Sequence, residues 1–370
     1  MHKLCNTGLA FFCLIGAPVL SQDFPVDTGT TVVDPEKLPE EKKKKKVNFV
    51  FAPIPIVNPT IGNGLAVAGL MLYKHDPESP ASMTAVAAGY TDSDSWGVGV
   101  LQDSKFAKDR WRLKVGGAIA IARYELYLHD TAPDFHFSTE QEVRGGLAQA
   151  LRRFGTHFFA GLRYQNANVL FPAPEEVQDL IPSEGLELNI AGLGLVAEWD
   201  SRNHSFQPSG GNYLTIRNNF SREDLGADLE YDTYAIALNH YRGGFRDQDV
   251  FAMRLSLCST THDTPFFERC QFGSSHDLRG YAVGRYYDDA MYAAQVEYRA
   301  PIWKRLGAVA FAGIGGVAHS FGDFGSGETL AAGGVGLRFL ASPEQKMNVS
   351  VDFAVGKDDS TFYVYIGEAF

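Results

Sequence analysis

The chain has 370 residues, a formal net charge of −11 at pH 7 and a hydrophobic share of 45%. An acidic chain of this kind offers no nucleic-acid footprint, so we expect no nucleic acid among its partners. Beyond the N-terminal segment, no apolar run reaches the roughly 18 uninterrupted residues that a transmembrane helix needs. Composition and charge therefore exclude a nucleic-acid-binding protein and a helical membrane protein.

The first 21 residues have the pattern of a signal peptide. A short basic start over Met1–Leu4 precedes an apolar run over Gly8–Leu20, and Ser21 belongs to a small-residue cleavage site before residue 22. The run is too short, and too broken by Pro18, to span a bilayer as a helix. A retained membrane anchor and a lipid-anchored Cys13 are the alternatives, although Cys13 lies inside the apolar run rather than after it.

Residues 22–46 form a polar segment that we predict to be a disordered periplasmic tail. The segment contains three prolines and several acidic residues, and it ends in five lysines, Lys42–Lys46. The lysines form either a solvated linker or a basic collar on anionic headgroups of outer-membrane lipids. The remaining residues, 47–370, are predicted to be one outer-membrane β-barrel domain.

Apolar and polar residues alternate in many short segments from Val47 to Phe370. Near the C-terminus, Val349, Val351, Phe353 and Val355 share one strand face, while Ser350, Asp352 and Ala354 share the other. Such strands fit a barrel with lipid outside and a polar lumen, and they explain a hydrophobic share that is ordinary for a soluble protein. The alternation and the turn residues predict strands at 47–57, 64–74, 80–91, 95–105, 109–127, 136–151, 155–168, 185–200, 211–222, 228–243, 249–260, 289–301, 306–319, 328–341, 346–356 and 361–370.

The predicted fold is an all-β transmembrane antiparallel β-barrel of about 16 strands, with 14 and 18 strands as alternatives. An even number of strands places both chain ends in the periplasm. The short connections are then periplasmic, whereas the long ones at 129–135, 169–184 and 261–288 are extracellular. With the export signal, this organisation predicts the bacterial outer membrane as the location.

Several motifs resemble those of a known barrel family. The longest predicted loop contains His276–Tyr281, with the sequence His-Asp-Leu-Arg-Gly-Tyr, and Trp199–Asn203 is followed by Pro208–Gly211 and later by Gly333–Phe339. In this order they are similar to the signatures of the bacterial surface antigen family, the BamA/TamA-type outer-membrane barrels. The resemblance implies a barrel whose long extracellular loop folds into the lumen, and a role in inserting or translocating proteins.

The chain departs from this family in two respects. Members typically carry periplasmic repeat domains before the barrel, whereas this sequence resembles a short form without them. Members also commonly have an aspartate in the thirteenth strand, where this chain has Phe311–Gly316. The resemblance therefore implies the barrel and the inward-folded loop more firmly than it implies client insertion.

We predict that the protein assists insertion or translocation of protein or lipid at the outer membrane. The predicted partners are outer-membrane lipids, the barrel assembly machinery during biogenesis and client proteins. A passive or gated pore for small solutes is the first alternative, and a surface hydrolase is the second.

The loop motif, Leu278, Arg279, Gly280 and Tyr281, predicts a lock. A guanidinium folded into a confined lumen needs a carboxylate partner. Alternation along the neighbouring strands points Asp352 and Glu297 inward, so both are candidate partners of Arg279. Arg338 is predicted to point inward beside Asp352. The alternative is that these charges merely solvate a water-filled lumen.

Cys258 and Cys270 are the two cysteines that remain after the signal peptide is removed. Both can be oxidised in an exported protein, which predicts a disulfide bond between them. The alternative is a free Cys258 packed within its strand.

Phe370 is predicted to be an assembly signal. In the expected last strand it shares a face with Phe362, Val364 and Ile366. A terminal aromatic at the periplasmic interface resembles the signal by which barrels are recognised for membrane insertion. The alternative is an interfacial aromatic anchor. Glu368 interrupts the same face near the water boundary, where a charge should be tolerated.

The sequence contains few residues in patterns that indicate catalysis or cofactor binding. Asn203, His204 and Ser205 are the residue types of an outer-membrane phospholipase, but three consecutive residues in a tight turn cannot converge as nucleophile, base and orienting group. Histidine–aspartate pairs such as His262–Asp263 are explained by loop polarity. No phosphate loop, zinc spacing or dinucleotide fingerprint is present. We therefore predict no enzymatic activity, no cofactor and no metal.

Overall fold

The structure of the protein is a computed structural model that describes residues 47–58, 61–128, 135–171, 186–281, 285–325, 328–343, 346–357 and 359–370. The predicted signal peptide and periplasmic tail lie outside the described residues. Residues 129–134 and 172–185, which cover most of two predicted extracellular loops and the first residue of the predicted strand 185–200, also lie outside the described residues.

Sixteen strands form one antiparallel sheet in chain order, and a two-stranded hairpin lies within the longest connection. The strands are Asn48–Asn58 (β1), Gly62–Tyr73 (β2), Ser82–Thr91 (β3), Trp96–Phe106 (β4), Trp111–Leu128 (β5), Phe135–Phe154 (β6), Phe158–Phe171 (β7), Leu186–Asp200 (β8), Gly211–Ser221 (β9), Tyr231–Gly243 (β10), Val250–Thr260 (β11), Cys270–Gln271 (β12), Tyr287–Asp288 (β13), Ala290–Trp303 (β14), Leu306–Ala318 (β15), Leu330–Ser342 (β16), Met347–Gly356 (β17) and Asp359–Ile366 (β18). Short 3-10 helices occupy Glu223–Leu225, Phe266–Glu268 and Phe321–Gly325. The predicted all-β fold and strand number are confirmed, and in the described part of the chain no helix is long and apolar enough to cross a membrane.

The strands form because their residues alternate between two different environments. In β17, Asp352 is fully buried while the neighbouring Phe353 is 46% exposed. The same alternation places a continuous apolar belt on the outside of the barrel, as expected for a surface in contact with lipid. This belt includes Val86, Val98, Val100, Val115, Ile119, Leu162, Leu195, Ile216, Ile236, Leu255, Val296, Ile314, Val335 and Leu337.

The interior is less polar than alternation alone predicts. An apolar cluster lies inside, and it contains Ala52, Ile54, Ile56, Ile61, Ala66, Ala118, Ala120, Ala122, Val143, Ala167, Val169, Ile190, Tyr231 and Phe267. Phe267 comes from the connection between β11 and β14, so this loop packs against apolar wall residues. The lumen was predicted to be polar, and this layer is an apolar exception in which side chains of the loop and the wall pack together.

The last predicted strand ends too late. Strand β18 ends at Ile366, Gly367 has a φ of 100°, and the following three residues turn away from the sheet. Glu368, Ala369 and Phe370 are only 6%, 0% and 2% exposed. The predicted position of Phe370 on the outer face is therefore wrong, and so is the position of Glu368 at the water boundary. A left-handed glycine permits the turn, and buried partners of the Glu368 carboxylate stabilise it.

The two ends of the sheet meet without a continuous ladder. Strand β1 pairs with β2, and β18 pairs with β17. Between β1 and β18 no ladder is formed by the residues that the structure describes, although side chains from both strands share a hydrophobic cluster that includes Val50 and Ile366. We call this junction the seam.

Candidate loop lock

The connection between β11 and β14, residues 261–289, is called the long loop, and its motif lies inside the barrel. Leu278, Arg279 and Tyr281 are fully buried. Leu278 lies over the glycines of β15, since a Cβ atom built on Gly313 would be 2.9 Å from a Leu278 methyl carbon. The predicted inward folding of the loop is therefore part of the structure.

Arg279 contacts the inner faces of three strands, β14, β15 and β17. Its Nη2 donates to Oε2 of Glu297 at 2.5 Å, and its Nη1 donates to the Asp352 carboxylate. Its Nε donates to Oε1 of Gln295 at 3.2 Å, and the guanidinium carbon lies 3.5 Å from the ring centroid of Phe311. Both predicted carboxylate partners thus contact Arg279, together with an amide and an aromatic face that the sequence analysis did not assign.

Two further arginines continue the ionic network. Arg338 Nη1 donates to Oδ1 of Asp352 at 2.5 Å, and Arg299 Nε donates to Oε1 of Glu297 at 2.6 Å. Both arginines also pair with Glu368, at 2.8 Å from Arg338 and 3.5 Å from Arg299.

We call these six residues, Arg279, Arg299, Arg338, Glu297, Asp352 and Glu368, the lock network. Three guanidinium groups face three carboxylates, so the network is formally neutral. This balance matters because a buried charge is costly unless it is paired and hydrogen-bonded. Glu368 was missed by sequence reasoning, although a carboxylate on an otherwise apolar strand face is the signal that could have found it.

Glycines make room for the lock. Gly280 has a φ of 116°, and a Cβ atom there would lie 3.0 Å from the Cβ of Ala332. A Cβ atom on Gly356 would lie 2.5 Å from the ring of Tyr281, and one on Gly336 would overlap the Asp352 carboxylate. The loop motif and the wall are therefore complementary in shape as well as in charge.

Tyrosine hydroxyls attach the loop to the last strands. Tyr281 donates to the carbonyl of Ala331 at 2.7 Å and accepts from the amide of Lys357 at 3.0 Å. The hydroxyl of Tyr363 accepts from the amide of Gly280 and donates to the carbonyl of Gly273, both at 3.0 Å. These bonds connect the loop to β16, to the β17–β18 turn and to β18.

Cys258 lies near the end of β11, and Cys270 lies in the long loop. The sulfur atoms of Cys258 and Cys270 are 1.99 Å apart, at bonding distance, and their Cα atoms are 5.6 Å apart. Cys270 belongs to the hairpin of β12 and β13, so a covalent bond here ties that hairpin to the end of β11. That the bond forms in the exported protein stays a prediction.

His204, in the Asn203–Ser205 part of the β8–β9 turn, accepts hydrogen bonds from the backbone of that turn. Its Nδ1 accepts from the backbone amides of Phe206 and Gln207, at 3.2 and 3.3 Å. Burial lowers the pKa of His204 to about 4, and Lys346 and Lys74 add to the effect. The neutral imidazole is therefore favoured as an acceptor that holds the β8–β9 turn.

Comparisons with known proteins agree with this architecture. The family model described as the Omp85 superfamily domain matches residues 89–370. No curated protein matches the chain significantly.

Three solved structures share the fold. BamA from Haemophilus ducreyi lacking POTRA domains 1–3 is 14% identical, with a TM-score of 0.56, over 88% of this chain and 71% of that chain. CdiB from Escherichia coli is 12% identical, with a TM-score of 0.62, over 89% of this chain and 63% of that one. CdiB from Acinetobacter baumannii is also 12% identical, with a TM-score of 0.55, over 86% and 59% of the two chains. The chain thus spans less than two thirds of either CdiB.

Proposed function

Because the chain belongs to the Omp85 superfamily of outer-membrane barrels, we propose that it assists the insertion or passage of a protein or lipid at the outer membrane. The proposed route is the seam, which separates to let part of a client enter the bilayer sideways. Outer-membrane lipids and client proteins are the proposed partners, and the barrel assembly machinery is the proposed partner during biogenesis. In this role the protein provides a surface and an opening rather than a chemical reaction.

The seam is the observation that carries the proposal. In a closed barrel every backbone group in the membrane is paired with a neighbouring strand. Here the ladders of the described residues end at β1 and β18, and the two strands meet through side chains such as Val50 and Ile366. Separating such a junction breaks apolar contacts instead of a row of hydrogen bonds, so the seam is the least costly place for the wall to open.

The lock supports the same proposal by holding one side of the seam. Arg279 pairs with Asp352 on β17, and Gly280 bonds Tyr363 on β18. Beyond β18, the chain turns inward at Gly367, and Glu368 joins the network through Arg338. The long loop therefore fixes the position of β18, whereas β1 is held by its ladder to β2 and by apolar packing.

The experiment links the two sides of the seam covalently. Val50→Cys and Ile366→Cys place thiols in one hydrophobic cluster that spans the seam, and a bismaleimide joins them in the purified protein. The matched control joins Val67→Cys to Ala88→Cys, which are partners in the continuous β2–β3 ladder. Liposomes containing each protein then receive a small outer-membrane barrel unfolded in urea, and its folding is followed by heat-modifiable mobility.

We expect the uncross-linked protein to accelerate folding of the client over empty liposomes. Cross-linking of the seam should remove this acceleration, while cross-linking of the control pair should not. No acceleration by the uncross-linked protein would contradict the insertion function. Full acceleration by the seam-linked protein would contradict the seam as the route.

A further inference from the structure

Two histidines and an aspartate converge at the rim of the barrel, at the end that carries the long loop. Nδ1 of His262 lies 3.1 Å from Oδ2 of Asp289, and Nδ1 of His319 lies 3.0 Å from the same oxygen. All three candidate ligand atoms lie within 4.8 Å of one another. No metal was predicted from the sequence, in which the nearest carboxylate to His262 is that of Asp263 and the residues that contact it here are distant.

Strand register brings the three residues together. Strands β11, β14 and β15 are consecutive in the sheet. His262 follows the end of β11, Asp289 precedes the start of β14 and His319 follows the end of β15. The amide of Thr260 donates to the carbonyl of Asp289, and Ala290 pairs with Ala318. The ligands are therefore held by the ends of three paired strands, which fix their relative positions better than free loops would.

Burial and a contact with Arg269 fix the orientation of the Asp289 carboxylate. The side chain of Asp289 is 4% exposed, whereas those of His262 and His319 are 72% and 65% exposed. The other carboxylate oxygen, Oδ1, lies 3.4 Å from Nε of Arg269. Arg269 also donates to the backbone carbonyl of His262 at 3.3 Å. One buried oxygen is thus aimed between two accessible imidazoles, and Arg269 holds both the carboxylate and the loop residue.

The geometry points to a binding site for a transition-metal dication such as Zn²⁺, formed by His262, Asp289 and His319. Bonds of about 2.0–2.2 Å in a tetrahedral site place neighbouring ligand atoms about 3.3–3.5 Å apart. The two nitrogen–oxygen separations of 3.0 and 3.1 Å need an opening of only a few tenths of an ångström, and the candidate nitrogens of the two imidazoles lie within 4.8 Å of each other. Exposed imidazoles can make this adjustment by small rotations.

The ligand set favours a particular class of ion. Imidazole nitrogen suits zinc, copper and nickel, whereas calcium and magnesium prefer sets made of oxygen atoms. Three protein ligands leave the fourth tetrahedral position to solvent. A bound ion fixes the first residues of the long loop to the rim formed by β14 and β15.

The experiment uses the full mature chain, purified in detergent without a histidine tag and stripped with EDTA. Zn²⁺ binding is measured by calorimetry, and Co²⁺ serves as a probe through the absorption bands of a tetrahedral site. His262→Ala and His319→Ala remove one exposed imidazole each, and the double variant removes both. His157→Ala is the matched control, because His157 is an exposed histidine in the β6–β7 turn at the opposite end of the barrel.

We expect one Zn²⁺ per chain in the starting protein and in His157→Ala. Each single variant should bind at least about 10-fold more weakly, since loss of even an outer-shell partner costs that much, and the double variant should lose the cobalt bands. Heat-modifiable mobility confirms that every variant is folded. Absence of binding in the starting protein, or equal binding in the double variant, would overturn the site. The two histidines would then be held only as hydrogen-bond donors to Asp289.

Discussion

Replacing Arg279 by alanine is expected to release the long loop while the barrel stays folded. The change leaves three buried carboxylates facing two guanidinium groups in the lock network. Removing one partner of a buried ion pair typically costs about 3–5 kcal/mol. The lower end applies here, because Asp352 keeps Arg338 and Glu297 keeps Arg299 as partners. About 3 kcal/mol corresponds to roughly two orders of magnitude in the equilibrium between docked and released loop.

Protease cleavage within residues 261–289 in intact cells measures this release. Arg279→Ala should be cleaved fastest, and Asp352→Asn and Glu297→Gln should each be cleaved faster than the unchanged protein. The matched control is Arg112→Ala, because Arg112 is also a buried lumenal arginine and it pairs with Asp109, Glu198 and Asp200.

The control separates loop release from general weakening of the barrel. Arg112→Ala removes three ion pairs, one more than Arg279→Ala does, but the partners of Arg112 lie in β8 and in the β4–β5 turn. If Arg279→Ala and the unchanged protein are equally protected, the locking role is wrong. The same holds if Arg112→Ala exposes the loop to the same extent as Arg279→Ala.

Three further predictions concern the loop and the C-terminus. Mass mapping under non-reducing conditions should find Cys258 and Cys270 in one linked peptide, and two free thiols would refute the disulfide. Deletion of Phe370 should lower the amount of heat-modifiable protein in outer-membrane fractions, because its backbone oxygen accepts a hydrogen bond from Arg299 at 2.6 Å and its ring is buried. An unchanged folded yield would decide against the assembly signal. Burial raises the pKa of Glu268 from its ordinary 4.5 to about 8, against an opposing effect of Arg163. The contribution of protonated Glu268 to loop docking is therefore complete below pH 4.5 and lost as the pH rises through 8. Protease cleavage of the loop should increase over that range. A Glu268→Gln variant that keeps the same increase would contradict this assignment.

Local alternation was sufficient to predict the barrel strands, apart from the end of the last one, and the side of the wall on which three charges of the lock network lie. Asp352, Glu297 and Arg338 point inward in the structure, as predicted, because successive side chains of a strand point to opposite faces of the sheet. Alternation does not predict which inward side chains contact each other, since these contacts depend on the register between strands and on the path of the loop. The contacts of Arg279 with Gln295 and Phe311 therefore could not be read from spacing.

The end of the chain shows where a local pattern misleads. Phe362, Val364 and Ile366 establish an alternation that Phe370 continues in the sequence but not in the structure. Gly367 permits a turn, and the carboxylate of Glu368 makes the turn favourable by accepting hydrogen bonds from Arg338 on β16 and Asn348 on β17. The convergence of His262, Asp289 and His319 was hidden for the same reason, because three strand ends that are far apart in sequence become neighbours only in the sheet.

The ion pair between Arg279 and Asp352 joins residues that are 73 positions apart in the chain. Contacts of such long range form late, because the intervening chain must be ordered before they contribute. Strand β17, which carries Asp352, must therefore be placed before the loop can dock, and we expect loop docking to be among the last steps of folding. Pulsed proteolysis during refolding would reveal this order, since the barrel strands should become protected before the loop does. Docking of the loop would then serve as a quality check on maturation, because only a barrel whose C-terminal strands are correctly assembled can hold it.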